Sequence, residues 1–509
     1  MRQYPGAGAV AVTSPLASVR TRGCPDWGRP LSIAALLAIT VVADLKTQCP
    51  DGTPPPCAGQ RPRAPAANSV AVLVFENAAR DTSLDWLGDG LAEEVATELG
   101  GAVGLTVRGA GIVRSAWRVA GGDPRRIGRL VSVHYVVEGS YRRAGTRVRV
   151  SARLLTLPGG DQRWGRVYDR ARDSLATLSD DIARDLAAVL GSGAHRPVRR
   201  PPDPRAYEAY QRGRSAYLRN DMETARSLYE DAIRRDSTFA PAWAGLAEVW
   251  GEMGDISVPA LQGYPRARAA GQRALALDST LATAYLPVAF ATAALERDCR
   301  YGERLGRRAI ALDSALPEAW DYLSLMLVCE DRRTEALDAA MHAWALDSLS
   351  AYAGVYVIYV TLMLEPERLP AALSLVRGRL APDDARFWEG RVALQQGDCA
   401  TAEALMRPHG TTFMLEEYIS SLVCLGRRAE ADSVVHAVIA DSSRSFVNPV
   451  TVALSLLALG DREGAMEWLE RGADERSWWA MLIHVWANFA PLRDDPRFQA
   501  LERRLGLLP

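Results

Sequence analysis

The chain has almost no lysine. Lys46 is the single one among 60 basic residues, so its positive charge is carried by arginine. Against 61 acidic residues this leaves a formal net charge of -1. That balance argues against a chain that holds nucleic acid through its overall charge, and no nucleic-acid partner is expected. Histidine is also scarce. The six present are His134, His195, His342, His409, His436 and His484, and no two have metal-ligand spacing. Walker A, HExxH and GxSxG sequences are missing. No cofactor and no catalytic residue are expected. A full membrane span needs roughly 20 apolar residues. The amino-terminal apolar run, "LSIAALLAITVVA", stops at 13, where Asp44 follows Ala43.

What is present divides the chain into stretches. Residues 1–30 are rich in Gly, Pro, Ser and Arg and read as disordered. Residues 31–46 read as a membrane anchor or the apolar core of a signal peptide. Arg20, Arg22 and Arg29 precede the run and favour a cytoplasmic amino terminus. An uncleaved anchor is preferred over cleavage after Ala43, and a buried core helix is the third reading. Both preferred readings put the rest of the chain outside the cytoplasm, either tethered to the membrane or released from it. Residues 47–68 hold six prolines and read as an extended spacer.

Residues 69–192 mix two periodicities. "SVAVLVFEN" is a buried strand, and "LDWLGDGLAEEVATELG" has helical spacing with a terminal Gly. "GLTVRG" reads as a short strand and "DPRRIGRLVS" as a helix with Pro in its first turn. From Val133 to Ala171 apolar and polar residues alternate, with turns at "RAGT" and "PGGD", as in an antiparallel meander. Ser174–Gly191 closes the segment as an amphipathic helix. The expectation is an α/β sandwich, followed by a linker over 193–205.

From Ala206 onward the pattern is helical, and "ALDS" occurs at 276, 311 and 345. Placing the Asp-Ser at the end of each unit aligns Ala232, Ala274, Ala309 and Ala343. A second small position holds Ala225, Ala267, Gly302 and Ala336. Trp243, Tyr285 and Trp320 recur near the start of each first helix. Small residues where helices touch and large ones interlocking at a 34-residue interval are the pattern of a tetratricopeptide (TPR) repeat. Residues 206–485 are thus expected to form an all-α TPR solenoid, an α-α superhelix of seven or eight units. About eight residues are inserted near "ISVPALQG". Residues 486–509 suit a terminal cap.

In that register Cys299 begins a second helix and Cys329 ends the next first helix. Cys399 and Cys424 repeat the relation. Disulfides Cys299–Cys329 and Cys399–Cys424 are expected, with Cys49–Cys57 a weaker third; the alternative is buried free thiols. Disulfides persist in oxidising compartments, which agrees with export. The first helices of a TPR stack line a concave groove. Its positions here are Tyr207, Tyr210, Arg214, Tyr217, Glu248, Phe290, Glu318 and Asp321, expected to meet a protein or peptide. Asp89 and Glu93 form an i, i+4 carboxylate pair, read as a solvated helix face rather than a hydrolytic dyad. "RGAGIVRS" holds two glycines of a dinucleotide fingerprint and lacks the rest.

"VAVLVFEN", "DWLGDGLAEEVATEL", "YVVEGSYRRAGTRVRVSARLL" and "RWGRVYDRA", followed by the repeats and "PLRDDPRFQALERRLGL", resemble bacterial proteins with a TolB-like amino-terminal domain. The resemblance covers residues 69–509. Members commonly carry a kinase, an adenylate cyclase or a winged-helix DNA-binding domain upstream of a membrane helix. Here 30 residues precede the apolar run, so the resemblance transfers no such activity. It implies a non-enzymatic scaffold or sensor tethered to the envelope. The alternative is the sensory part of a signalling protein whose effector is separate or missing.

Overall fold

A computed structural model describes residues 65–192, 201–407, 415–442 and 446–507. The readings for residues 1–30 and 31–46, for most of the spacer and linker, and for Cys49 with Cys57 lie outside the described residues. Among the described residues no helix is long and apolar enough to cross a membrane. The described chain is mostly helical, with one small mixed sheet.

The sheet is built from β1 (Ser69–Val72), β2 (Glu76–Asn77), β3 (Thr106–Val107), β4 (Tyr135–Ala144), β5 (Arg147–Thr156) and β6 (Asp161–Ala171). Its order is β3-β1-β4-β5-β6, with β2 also on β4. β1 runs parallel to β3 and β4, and β4, β5 and β6 form the antiparallel meander. Gly145 and Gly160 supply the left-handed turn conformations, at φ +65° and +80°. "SVAVLVFEN" is not one strand. It pairs with β4 twice and breaks between, where the Phe75 ring lies over Gly139; a Cβ there would meet the ring at 2.2 Å.

Helices cover both faces. α1 (Trp86–Gly100) and α4 (Leu178–Val189) pack on Val70, Val72, Val137, Val150 and Leu154. α2 (Ala110–Ala120) and α3 (Pro124–Leu130) pack on Ala71, Leu73 and Val136. The segment "AGIVRSAWRVA", noted in the sequence for its glycines alone, is α2.

Among the described residues, eight antiparallel helix pairs follow. They are α5 (Pro204–Leu218) with α6 (Met222–Arg235), α7 (Ala240–Met253) with α8 (Ala260–Leu277), and α9 (Ala282–Glu296) with α10 (Cys299–Leu312). Next come α11 (Pro317–Cys329) with α12 (Arg333–Leu346), α13 (Ala351–Leu364) with α14 (Leu369–Val376), and α15 (Pro382–Gln395) with α16 (Cys399–Met406). α17 (Leu415–Cys424) with α18 (Arg428–Asp441), then α19 (Pro449–Ala458) with α20 (Arg462–Asp474), complete the row, and α21 (Pro496–Leu505) ends it. A row of helix pairs in this register is a TPR solenoid.

The repeat works as its residues require. Ala232, Ala274, Ala309 and Ala343 are all fully buried. A larger side chain there would overpack the contact, at a cost of about 1–3 kcal/mol. Each following Asp leaves the helix but still donates its N–H to that Ala carbonyl: Asp236, Asp278, Asp313 and Asp347, at 2.8–3.0 Å. Its carboxylate then accepts the N–H two residues on, as in Asp278 Oδ1 with Thr280 N at 3.0 Å, and so shapes the turn. The large residue of the next helix closes the unit. Tyr285 Oη donates to Ser279 O at 3.0 Å, and Trp320 Nε1 to Ser314 O at 3.2 Å.

The structure has both expected repeat disulfides. Cys299 is the first residue of α10 and Cys329 the last of α11, with Cα atoms 6.2 Å apart. Cys399 begins α16 and Cys424 ends α17, at 5.7 Å.

The row also curls back on itself. The insertion after α7 presents Asp255, which is 1% exposed. Its Oδ2 accepts Ser477 Oγ at 2.7 Å and Trp478 N at 2.8 Å, and its carbonyl accepts Asn448 Nδ2 at 3.0 Å. Arg297 reaches Ala473 O and Arg504 O, at 3.1 and 2.9 Å. The last pairs therefore meet the second and third.

Candidate functional site: the inner face of the helix stack

The first helices of the pairs make the inner face, and the residues expected to meet a partner lie there. At its amino-terminal end that face is occupied by the chain's own α1. Helix α1 buries residues around much of its circumference, including Trp86, Leu87, Leu91, Ala92, Val95 and Leu99. Such a helix needs more than one packing partner. The sheet takes one side, and α5 takes another.

Polar contacts fix this second side. Tyr207 Oη donates to Glu94 Oε2 at 2.8 Å, and Gln211 Nε2 to Glu94 Oε1 at 2.5 Å. Gly90 lets the helices approach; a Cβ there would meet Gln211 Oε1 at 1.9 Å. Arg214 pairs with Glu93 at 3.2 Å and with Glu248 at 3.3 Å. Arg114 of α2 joins Glu93 at 3.2 Å and Asp89 at 3.1 Å. Arg172 pairs with Glu208 at 2.5 Å. Ser115 Oγ donates to Asp347 Oδ2 at 3.1 Å, so the third "ALDS" touches the α/β domain.

The electrostatics follow from how the arginines are shared. Burial alone would raise the Glu93 carboxyl, but Arg214 and then Arg114 hold it below the ordinary value. Glu248 shares one arginine, and burial pushes it up to about 7. Burial pushes Glu94 up to about 8, although Tyr207 and Ser179 hydrogen-bond it.

These contacts correct the expectation of an open groove. Tyr207 and Arg214 are engaged by α1. Tyr210 packs on Tyr229 and Phe239, with ring centroids 5.8 and 5.1 Å away. Tyr217 lies under the Arg214 guanidinium at 5.4 Å, and Glu248 completes the same cluster. Phe290 stacks on Trp478 at 4.5 Å. Glu318 is half-buried opposite Gly111 of α2. Asp321 is 0% exposed, and neither carboxylate oxygen has a hydrogen-bond partner among the described residues. Burial, then the charges of Glu318 and Asp347, push it well above the usual carboxylate range. The 34-residue period tells which face of a helix looks inward. It says nothing of what fills that face.

The Asp89–Glu93 pair is likewise not a solvated face, because Arg114 bridges it. Sequence reading missed Arg114, Ser115, Gln211 and the tertiary contact of Asp347. A signal was available in α1, whose apolar residues are too widely spread for one partner. Among the described residues no group of three or more His, Cys, Asp or Glu side chains is placed to hold a metal ion.

The carboxyl-terminal half of the inner face differs. Tyr359, Trp388, Glu416, Glu417, Trp479 and Trp486 line a cavity of about 30 Å³. On the sheet face covered by α2 and α3 a second cavity of about 190 Å³ lies between Glu76, Trp117, Glu138 and Arg153.

No family model matches the chain. A relative from Rhizobium meliloti (strain 1021), "Putative adenylate cyclase 3", is 32% identical over 199 residues. That match takes in 36% of this chain, which spans about a third (33%) of the relative's length. Among solved structures, TTC0263, a thermophilic TPR protein in Thermus thermophilus, is 16% identical at a TM-score of 0.30. It covers 34% of this chain and 89% of its own. PilW, described as a widely conserved type IV pilus biogenesis factor, is 14% identical at a TM-score of 0.32, covering 41% of this chain and 93% of its own.

Proposed function

We propose that the chain is a non-enzymatic scaffold or sensor, tethered to the inner membrane through residues 31–46, with its folded part in the periplasm. Its α/β part is read as TolB-like, and the TPR stack as the element that binds a protein or peptide. The observation that carries this reading is the seating of α1 on the inner face through Glu93–Arg214 and Glu94–Tyr207. Helix-in-groove recognition uses such a face. Here the amino-terminal half is taken by the chain itself, so a partner either displaces α1 or uses the other half. The two disulfides favour an oxidising compartment.

A photocrosslinker at Tyr352, 39% exposed on α13, tests this against one at Tyr301, 38% exposed on the second helix α10. The expected result is a discrete protein adduct from position 352 alone, in the membrane fraction. Equal adducts from both positions, or cyclic AMP made from ATP by the purified chain, would sink the reading.

The second reading is the sensory part of a signalling system whose effector is separate or missing. The similarity to a protein named as an adenylate cyclase favours it. An in-frame kinase, cyclase or winged-helix sequence in the DNA upstream of Met1 would support it, and unrelated upstream sequence would count against it.

A further inference from the structure

The cavity in the carboxyl-terminal half combines three features that ordinary core packing does not need. The first is its wall of rings. Tyr359 stands edge-on to Trp388 at 5.3 Å and lies 6.2 Å from Trp479, which is 5.9 Å from Trp486. Aromatic faces attract a cation through the ring quadrupole, most strongly for Trp.

The second feature is a pair of carboxylates, from Glu416 and Glu417 on α17. Glu416 is 8% exposed. Both of its hydrogen bonds, from Ser420 Oγ and Asn488 Nδ2 at 3.0 Å each, go to Oε1, which leaves Oε2 to accept another. Among the described residues no side chain hydrogen-bonds Glu417. Arg391 of α15 is close enough to favour the charged form of both, yet it makes no ion pair with either, and its own buried Nε has no partner. The site holds two carboxyls and one guanidinium, so ionising both glutamates calls for a further cation. Burial raises both glutamates, and Glu416 raises Glu417 further, so the pair gains from a cation that arrives.

Size is the third feature. A volume of about 30 Å³ accommodates about two water-sized groups. A primary ammonium is water-sized, and a methylene can follow it. A trimethylammonium is too wide.

We propose that this cavity binds a primary ammonium on an unbranched alkyl stem, presented by a lysine side chain of a peptide or by a free alkylamine. The ammonium would donate to Glu416 Oε2 and Glu417, with its first methylene against the tryptophan rings and the rest of the stem leading out of the cavity. This rests on the reading of the inner face as a binding surface and names the chemistry it takes.

The test uses tryptophan fluorescence of the full-length chain, since Trp388, Trp479 and Trp486 report directly. n-Butylammonium chloride should change the signal saturably in the millimolar range, and tetramethylammonium chloride at equal ionic strength should not. Acetyl-lysine amide should act where acetyl-norleucine amide does not. Thr451 also lines the cavity, and Thr451→Leu, which fills it with an uncharged side chain, should abolish the response. Glu417→Gln should weaken it by about tenfold or more, the scale of a desolvated charge contact. A response to butylammonium without one to acetyl-lysine amide supports an amine site and removes this face from the peptide-binding reading. No saturation by 50 mM butylammonium, an equal response to tetramethylammonium, or an unchanged response in Thr451→Leu would overturn the proposal and leave a packing gap only.

Discussion

The two halves of the inner face use the same scaffold and fill it by different physics. At α5 and α7 the face is closed by charges and hydrogen bonds to α1, with Arg214 between Glu93 and Glu248. At α13 to α19 it is closed by rings, with Trp388 2% exposed and Trp388, Trp479 and Trp486 lining one cavity. Closure by rings is non-directional, and here the rings leave a cavity between them. Polar closure demands a partner for each group and leaves little room for error. The first arrangement can be undone by removing one residue, and the second is governed by volume.

Arg214→Ala gives the largest expected break in that comparison. It leaves Glu93 and Glu248 buried with less counter-charge, and losing one partner of a buried pair costs about 3–5 kcal/mol. Amide exchange should quicken in α1 and α5 and stay unchanged in α13 to α19. Uniform quickening, or none, would show that α1 is not held by this network. Replacing Cys399 and Cys424 with Ser frees a 25-residue separation, and Cys299 with Cys329 a 30-residue one. Chain-entropy reasoning gives about 3–4 kcal/mol for each, read as a lower urea midpoint that reductant no longer moves. A midpoint still sensitive to reductant in the quadruple variant would contradict the two pairings.

Gly90→Ala is a smaller and more local probe. The methyl would displace Gln211 from Glu94, for about 1–3 kcal/mol, while α1 keeps its sheet contacts. Melting that drops as far as in Arg214→Ala would show the contact to be tighter than the polar network implies.

The smallest effect is in pH. Glu248 and Asp255 are pushed up to about 7 and Glu94 to about 8, in each case chiefly by burial. A carboxyl raised in the folded state contributes stability that is complete below its unfolded value near 4 and is lost as pH rises through the folded value. Glu93 is lowered and acts oppositely, losing its contribution only as pH falls below about 4. The melting temperature should therefore decline by several degrees between pH 6 and pH 9. Glu248→Gln should flatten the slope, and a melting temperature rising over that range would refute the assignment.

Much of this molecule was legible residue by residue. Ala232, Ala274, Ala309 and Ala343 mark the helix contact because a 34-residue period can be kept only by stacked units. The cysteine positions followed, since a register that fixes both ends of each helix also fixes which ends meet. The meander was legible because its alternation has period two. The break in the first strand was not, because it depends on Phe75 crossing Gly139 of a distant strand. The groove residues were correctly placed on the first helices, but their neighbours Glu94, Arg114 and Trp478 lie far away in sequence.

The sequence by itself determined the period, the two core patterns and the repeat disulfides, because each is a property of spacing along one chain. The tertiary structure alone decided what lies in the inner face. Whether a Tyr or an Arg there meets a partner, a helix of its own chain or a ring from the carboxyl terminus depends on how the stack curls. That curl sums many small rotations between helix pairs, which no short stretch of residues specifies.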